Sequence, residues 1–437
     1  MQTDLAKVLS YLGIAALKPM QQTARTTILK EKATLLIAPT GSGKTIGFLL
    51  PLFELIDAEI NSVQCLILVP SRELALQIEQ VWKKMNTGLK VNVCYGGHST
   101  QTEINNFSNP PALLIGTPGR ITDHLRKGSF STANIKTLVL DEFDKSLELG
   151  FQEDMSFIIR QLKQLTKKVL VSATSLKEIP EFAGVASPAF LNFTEDKNTA
   201  DLTMKLVLSE DRDKVETLFQ LLCSLHSEPA LMFCNHRESC ERTCAYLISK
   251  GIEAAFYHGG MEQDDRERAL IKFRNGTVNY LVTTDLAARG LDIPEMKNVI
   301  HFQLPVKAEE FLHRNGRTAR MQAKGTAYII LFKEDDLPAY IEEPLEKAVL
   351  SANGNLPEPP LFETIYISGG RKNKLNKFDI VGALIQKGKL QKEDVGLIEV
   401  KDFMAFAAIK KEKAPGLLLA MKEEKIKGKK YKIAIAK

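Results

Sequence analysis

The chain has 437 residues, 44% of them hydrophobic and 25% charged, a balance that excludes a largely disordered chain, a collagen-like one and a disulfide scaffold. At about 150 residues per domain the length predicts roughly three domains. The net charge of +5 is unevenly placed: residues 361–437 hold 18 Lys and Arg against 9 Asp and Glu, so a basic module of net +9 follows a body of net −4 and points to a polyanion partner.

Short apolar runs alternate with helical stretches from residue 33 onward. The first series is 33–38 (ATLLIA), 65–70 (CLILVP), 112–117 (ALLIGT), 137–142 (TLVLDE) and 168–173 (KVLVSA). Strands this apolar are covered on both faces, and the spacers are long enough for crossover helices, which predicts a parallel α/β sheet. The polar stretch Glu195 to Asp201 reads as a linker. The alternation restarts at 230–234, 253–258, 280–285, 298–304 and 325–332, then breaks again at 351–360 (SANGNLPEPP). The expected domains are residues 1–200, 201–350 and 362–437, with a linker over 351–361.

Residues 38–45 read Ala-Pro-Thr-Gly-Ser-Gly-Lys-Thr directly after a strand, which is the position of a P-loop. Thr40, Gly41, Ser42 and Gly43 are then a backbone cradle for phosphate oxygens. Lys44 reaches the β- and γ-phosphates, and the Thr45 hydroxyl binds Mg²⁺. Asp141 and Glu142 end a strand of the same sheet, so one carboxylate serves the metal, partly through water, and the other the attacking water. A strand-ending acid that only caps the next helix is the competing reading for that pair, and the P-loop weighs against it. In the second series Arg317 and Arg320 are three apart; on a helix they share a face and can neutralise phosphate charge.

These motifs, with GIAALKPMQ (13–21), PSRELALQ (70–77), Gly96-Gly97, TPGR (117–120), DEFD (141–144), SAT (172–174), Phe233, Gln263, Arg266, TDLAARGLD (284–292) and HRNGRTAR (313–320), occur in one order. The chain resembles a DEAD-box ATP-dependent RNA helicase from about residue 5 to 332. The resemblance implies two tandem RecA-like parallel-sheet domains that use ATP and Mg²⁺ and meet around the nucleotide. It implies that Gln21 reads the adenine, Asp292 touches the ribose and Glu142 positions the hydrolytic water, with Lys44, Arg317 and Arg320 catalytic. Ser172 and Thr174 couple hydrolysis to strand separation, with Asp144 and His313 bridging the domains. Arg72, Gly97, Thr117, Arg120, Arg237, Gly260 and Thr284 line the RNA path. Phe143 stands where the family usually has Ala, a change expected to alter domain packing. Leu17 and Lys18 replace the usual Pro-Thr, and the upstream family aromatic is absent.

The tail reads as a strand at 364–370, a helix at 378–386, a strand pair over 396–409, a helix near 415–424 and a final turn and strand, a βαββαβ order like that of an RRM. Such folds stack bases on aromatics of the central strands; Tyr366, Phe403 and Phe406 are the candidates, and Phe406 is assigned to core packing. Arg371, Lys372, Lys427, Lys429 and Lys430 lie in two basic turns suited to backbone phosphates. TIYISGGRKNKL (364–375), DIVGAL (379–384) and KIKGKKYKI (425–433) resemble the RNA-binding domain of the DbpA subgroup. That resemblance implies a hairpin of 23S rRNA in the assembling large subunit as target.

The start MQTDL lacks a basic segment ahead of an apolar core, and no apolar run approaches the ~20 residues that span a bilayer. The expectation is a cytoplasmic protein without membrane contact. Cys65, Cys94, Cys223, Cys234, Cys240 and Cys244 form no CxxC pair and complete no zinc pattern, so reduced thiols and no metal cluster are expected. The alternatives are a non-specific RNA helicase, a weakly hydrolysing RNA clamp or annealing factor, and a DNA helicase. Intact Lys44, Glu142, Arg317 and Arg320 weigh against the clamp; Gln21, the SAT motif and the tail weigh against DNA.

Overall fold

The computed structural model describes residues 4–39, 41–97, 100–174, 178–194, 202–285, 296–318, 325–342, 344–350 and 355–436. They form two compact units that divide at about residue 200.

The first unit is built on seven strands: β1 Ala33–Ile37, β2 Cys65–Leu68, β3 Val91–Cys94, β4 Leu113–Gly116, β5 Thr137–Leu140, β6 Lys167–Ser172 and β7 Ala189–Asn192. All pair in parallel, in the order β3-β4-β2-β5-β6-β1-β7. Side chains alternate between two cores. Leu36, Ile67, Val139, Val169 and Val171 enter one, while Leu35, Ile37, Leu66, Leu68, Leu138, Leu140 and Leu170 enter the other. Burial on both faces explains why these strands read as unbroken apolar runs. The crossover helices carry ordinary start and stop signals. In Arg72–Lys84 the Ser71 hydroxyl accepts from the Leu74 amide, Glu73 lies in the first turn and Lys83 and Lys84 in the last. Leu74, Ala75, Ile78 and Trp82 give that helix its buried stripe.

The second unit holds an equivalent parallel sheet: β8 Leu202–Ser209, β9 Ala230–Phe233, β10 Ala254–Tyr257, β11 Tyr280–Thr283, β12 Asn298–His301, β13 Gly325–Phe332 and β14 Glu346–Lys347, ordered β10-β11-β9-β12-β13-β8-β14. It also holds the tail, with β15 Phe362–Ile367, β16 Val395–Val400, β17 Ala405–Lys410, the short hairpin β18 Lys425–Ile426 and β19 Lys429–Lys430, and β20 Ile433–Ile435. The tail sheet is antiparallel in the order β16-β17-β15-β20. One face packs Ile365, Ile367, Ala407 and Ile409 against Leu384 and Leu417 of its two helices.

The other face of the tail sheet is not open. Phe406 is buried with Ile271, from helix Gln263–Arg274 of the second parallel domain, and with Ala436; Tyr366 and Met404 pack beside them. Tyr366 and Phe406 are paired across β15 and β17, their rings edge-on at 5.7 Å. Polar contacts ring this apolar centre. Arg274 pairs with Glu399 at 2.8 Å, and the Thr364 hydroxyl meets the Thr277 hydroxyl at 2.6 Å and accepts from the Asn275 amide at 3.3 Å. The tail has its own core yet is docked, and the face on which an RRM stacks bases is the docking face. Ile271→Asp would place a carboxylate in the dry centre of this contact without touching the tail's own core. Proteinase K cleavage within 355–361 should then rise sharply while the tail retains its helices by NMR; unchanged protection would contradict the docking.

Candidate nucleotide and RNA sites

The P-loop follows β1 and leads into helix Lys44–Leu55. Gly41 and Gly43 have φ of +82° and +93°. At Gly43 a side chain is also excluded by space, because a Cβ there would lie 2.5 Å from Gln21 Nε2. Gln21 braces the loop: Nε2 donates to the Gly43 carbonyl at 3.3 Å and Oε1 accepts from the Lys18 amide at 3.0 Å. The Lys18 backbone therefore does this work although Leu17 and Lys18 depart from the usual pair. The amides opening the helix and its dipole make this end a phosphate site.

Lys44 Nζ donates to the carbonyls of Ala38 and Pro39. Burial lowers its pKa, opposed by Asp141, Glu142 and Asp144. Asp141, at the end of β5, is pushed up to about 7 by burial and by the neighbouring Glu142, with Lys44 opposing. A buried carboxylate at this strand end, with the Thr45 hydroxyl opening the helix after β1, is a donor set suited to a hard divalent cation. Ser42 Oγ is buried without a hydrogen-bond partner among the described residues, which fits a loop shaped for polyanion oxygens. Glu142 sits at φ +46°, a left-handed conformation costing a non-glycine residue about 1–2 kcal/mol. Its amide donates to Asp141 Oδ1 at 2.9 Å, so the strained turn between β5 and the next helix ties the two residues together.

Strand order explains why these pieces meet. β5, β6 and β1 are neighbours, so DEFD, SAT and the P-loop emerge side by side at the carboxyl edge of the sheet. Thr174 Oγ1 donates to Asp144 Oδ2 at 2.7 Å, the Thr174 amide donates to Ser172 Oγ at 3.2 Å, and Ser172 Oγ donates to the Thr174 carbonyl at 2.7 Å. SAT and DEFD are thus one hydrogen-bonded assembly.

The opposite half of the same edge belongs to β3, β4 and β2. It carries Gly97, then Thr117 and Arg120, then Arg72. The Arg72 guanidinium lies 4.5 Å from the Tyr95 ring centre, and Arg120 Nε donates to Glu103 at 2.6 Å. The second unit repeats the pattern, since β10, β11 and β9 are neighbours. They carry Gly260, Thr284 and Arg237, and a Cβ on Gly260 would come within 3.2 Å of the Arg237 side chain. The Gly260 amide donates to His258 Nδ1 at 3.1 Å, and His258 Nε2 meets Glu241 at 2.9 Å.

Thr40, Asp292 and Arg320 lie outside the described residues. Arg317 and His313 are buried, but helix Ala308–Asn315 stops before Arg317, with Gly316 as its cap. The expected helical face shared by Arg317 and Arg320 therefore does not form at Arg317. Sequence reasoning passed over Arg314, the fully buried hub of this region. It holds Asp285 with Nε at 2.6 Å and Nη2 at 2.9 Å, the Gln303 carbonyl at 2.6 Å and Asn235 Oδ1 at 2.9 Å. Close by, burial pushes His301 down to about 3, and its ring Nε2 lies 2.9 Å from Asn315 Oδ1. Arg314 stands inside HRNGRTAR, so the signal was present; spacing alone did not separate it from its neighbours.

In the tail, Lys427 and Gly428 both have positive φ, +52° and +78°, the backbone of a two-residue hairpin turn. Arg371, Lys372, Lys427, Lys429 and Lys430 are all exposed. Lys427 pairs with Asp379 at 2.9 Å, Arg371 with Asp402 at 3.4 Å and Lys430 with Glu423, exposed pairs that a phosphate can displace cheaply.

Residues 18–182 match the family model for the DEAD/DEAH box helicase, 213–322 that for the helicase conserved C-terminal domain, and 364–435 that for the DbpA RNA binding domain. The chain is 33% identical to the ATP-dependent RNA helicase DbpA of Escherichia coli K12, over 98% of this chain and 96% of that one. The chain belongs to the DEAD-box ATP-dependent RNA helicases of the DbpA type. Bacillus subtilis DbpA is 30% identical over 98% of this chain and 97% of its own length. Among solved structures, Saccharomyces cerevisiae Dbp5 bound to RNA and ADP BeF3 superposes with a TM-score of 0.68 at 26% identity, covering 75% of this chain and 87% of that one. Mss116p bound to single-stranded RNA and AMP-PNP gives 0.68 at 28%, covering 76% and 73%. The protein is thus an RNA-stimulated ATPase and helicase with two parallel-sheet RecA-like domains and a small antiparallel RNA-binding domain. Among the described residues, no helix is long and apolar enough to cross a membrane.

Within a DEAD-box helicase Phe143 is an unusual residue. Its side chain is fully buried in the first unit's own core, 6.2 Å ring to ring from Phe182. A change at 143 therefore acts first on that core. Phe143→Ala, although it restores the usual family residue, should lower the first unit's stability by about 3–5 kcal/mol in urea unfolding; unchanged stability would contradict the packing.

Proposed function

We propose that this DEAD-box helicase hydrolyses Mg²⁺-ATP at the β5-β6-β1 edge and is directed by its basic tail to a 23S rRNA hairpin of the assembling large subunit in the cytoplasm. The observation that carries the catalytic part is the meeting of Lys44, Asp141, Glu142 and the Asp144–Thr174–Ser172 assembly on three adjacent strand ends. Thr45 and Asp141 would hold the metal, partly through water, and the bound ion would neutralise phosphate charge. Lys44 turns from the Ala38 and Pro39 carbonyls to the β- and γ-phosphates. Glu142 orients the attacking water and accepts its proton. Gln21, braced on Gly43, reads the adenine. The Thr174–Asp144 bond carries the state of the phosphate site to the rest of the first unit.

RNA runs along the β3-β4-β2 edge over Arg72, Gly97, Thr117 and Arg120, and over Arg237, Gly260 and Thr284 in the second unit. Contacts of this kind go to phosphate and sugar and carry little sequence information. Selectivity then rests with the tail. Its outer sheet face is docked, so recognition falls to the turns around Arg371, Lys372, Lys427, Lys429 and Lys430. Phe378 and Phe403, exposed by 84% and 67%, stand next to Asp379 and Asp402, the partners of Lys427 and Arg371, and offer stacking surfaces there. The rRNA assignment is supported by full-length similarity to two DbpA helicases and by the matched tail domain.

Steady-state ATPase tests both parts. Turnover should be low without RNA, modest with bulk RNA and strong with a 23S fragment bearing the hairpin. Glu142→Gln should cut turnover by about 100-fold or more while ATP and RNA still bind. Arg371→Glu with Lys427→Glu should erase the preference for the fragment; deleting the tail is a poorer test because it bares Ile271. Equal activation by every RNA would overturn the rRNA assignment, and undiminished turnover of Glu142→Gln the role of Glu142.

A further inference from the structure

One buried carboxylate of the first unit has no part in ATP chemistry. Glu103, on helix Thr100–Asn106, is 3% exposed. Its Oε1 accepts from the Tyr95 amide at 3.1 Å, and its Oε2 accepts from Arg120 Nε and His124 Nε2, both at 2.6 Å. Tyr95 precedes Gly96-Gly97 at the end of β3, and Arg120 opens the helix after β4. Tyr95 in turn lies under Arg72, which follows β2, and a Cβ on Gly97 would come within 3.7 Å of Arg72 Nη1. A single side chain therefore ties together the loops after β3 and β4, and Tyr95 links them to Arg72 after β2.

A metal is the competing use of this cluster, because donors of Cys94, Glu103 and His124 lie within 4.8 Å of one another. The chemistry disfavours it. Burial pushes the Cys94 thiol up, and Glu103 adds to that. Burial would also raise Glu103, but the bonds from His124, Arg120 and the Tyr95 amide outweigh it and hold the carboxyl below its usual range. Glu103 is an anion whose oxygens are already engaged, with a guanidinium in contact.

We propose that Glu103 is a positioning residue for RNA binding, setting the direction of Arg120 and the course of the Tyr95–Gly97 loop at the RNA edge. The proposal rests on the assignment of Arg72, Gly97, Thr117 and Arg120 to the RNA path. Arginine suits this role because Nε is held by one partner while the rest of the planar fork is aimed by that bond. Lysine keeps the charge and loses the aim.

The test uses the full-length protein, AMP-PNP and a fluorescein-labelled oligouridylate, read by anisotropy. Arg120→Ala, Arg120→Lys and Glu103→Gln should each weaken RNA binding by about tenfold or more, equivalent to about 1.4 kcal/mol. Glu103→Gln combined with Arg120→Ala should bind no more weakly than Arg120→Ala, because the two act as one unit. The rise in RNA Kd should exceed any rise in KM for ATP, which a general loosening of the domain would move equally. RNA affinity unaltered by Glu103→Gln, with Arg120→Ala weakened, would overturn the proposal and leave the RNA path intact. Additive losses, or an equal rise in KM for ATP, would also overturn it. Unaltered affinity of Arg120→Ala would overturn the RNA assignment itself. If Glu103→Gln does not fold, Arg120→Lys carries the test, and wild-type affinity in that variant would overturn the proposal.

Discussion

The central strands of both parallel sheets are buried on both faces, and the placement of both candidate sites follows from that constraint. A strand such as TLVL, covered above and below, has no exposed side chains to offer, so chemistry is confined to the loops at the strand ends. Strand order then decides which loops meet. In the first unit it sorts the motifs into two halves of one edge, with DEFD, SAT and the P-loop on one side and the Arg72, Gly97 and Arg120 loops on the other. The second unit repeats the arrangement with Arg237, Gly260 and Thr284.

Each half is held by a small number of buried polar contacts. Thr174 to Asp144 joins SAT to DEFD, Glu103 joins the loops after β3 and β4, and Arg314 joins Asp285, Gln303 and Asn235 in the second unit. Such contacts in a low-dielectric setting are expensive to leave half made, so they favour discrete arrangements over gradual deformation. That is the property needed by a protein whose nucleotide and RNA must sense one another. The docked tail adds a further constraint. The tail is packed on helix Gln263–Arg274, so RNA captured by the tail would be placed beside the second parallel domain along with it.

Much of this was legible in the chain. The ten apolar runs fall on ten of the fourteen strands of the two parallel sheets, and the tail's βαββαβ order holds. The strands that escaped were β3 (VNVC), β7 (AFLN), β8 (LTMKLVLS) and β14 (EK). Three lie at sheet edges and β8 lies one strand in; β3, β7 and β8 mix polar with apolar residues because one side is half-exposed, and the two-residue β14 is charged and exposed throughout. Motif residues were legible because chemistry restricts their type. Glu103 was not, and neither was the hub role of Arg314 within HRNGRTAR, because a buried charge is defined by its partners, here 17 and 29 residues away along the chain. Phe143 looked like a change at a functional motif; its side chain proves to be core, which only packing could decide. The docking of Tyr366 and Phe406 was equally hidden, since an aromatic that stacks on a base and one that packs on a helix look alike in sequence.

The central claim is that nucleotide and RNA share one sheet edge and are coupled through it. The direct test is a thermodynamic square: AMP-PNP affinity with and without saturating oligouridylate, and oligouridylate affinity with and without saturating AMP-PNP. The account predicts that each ligand tightens the other by the same factor, well above one, as linkage requires. A factor of one in both directions, with both ligands bound, would contradict it.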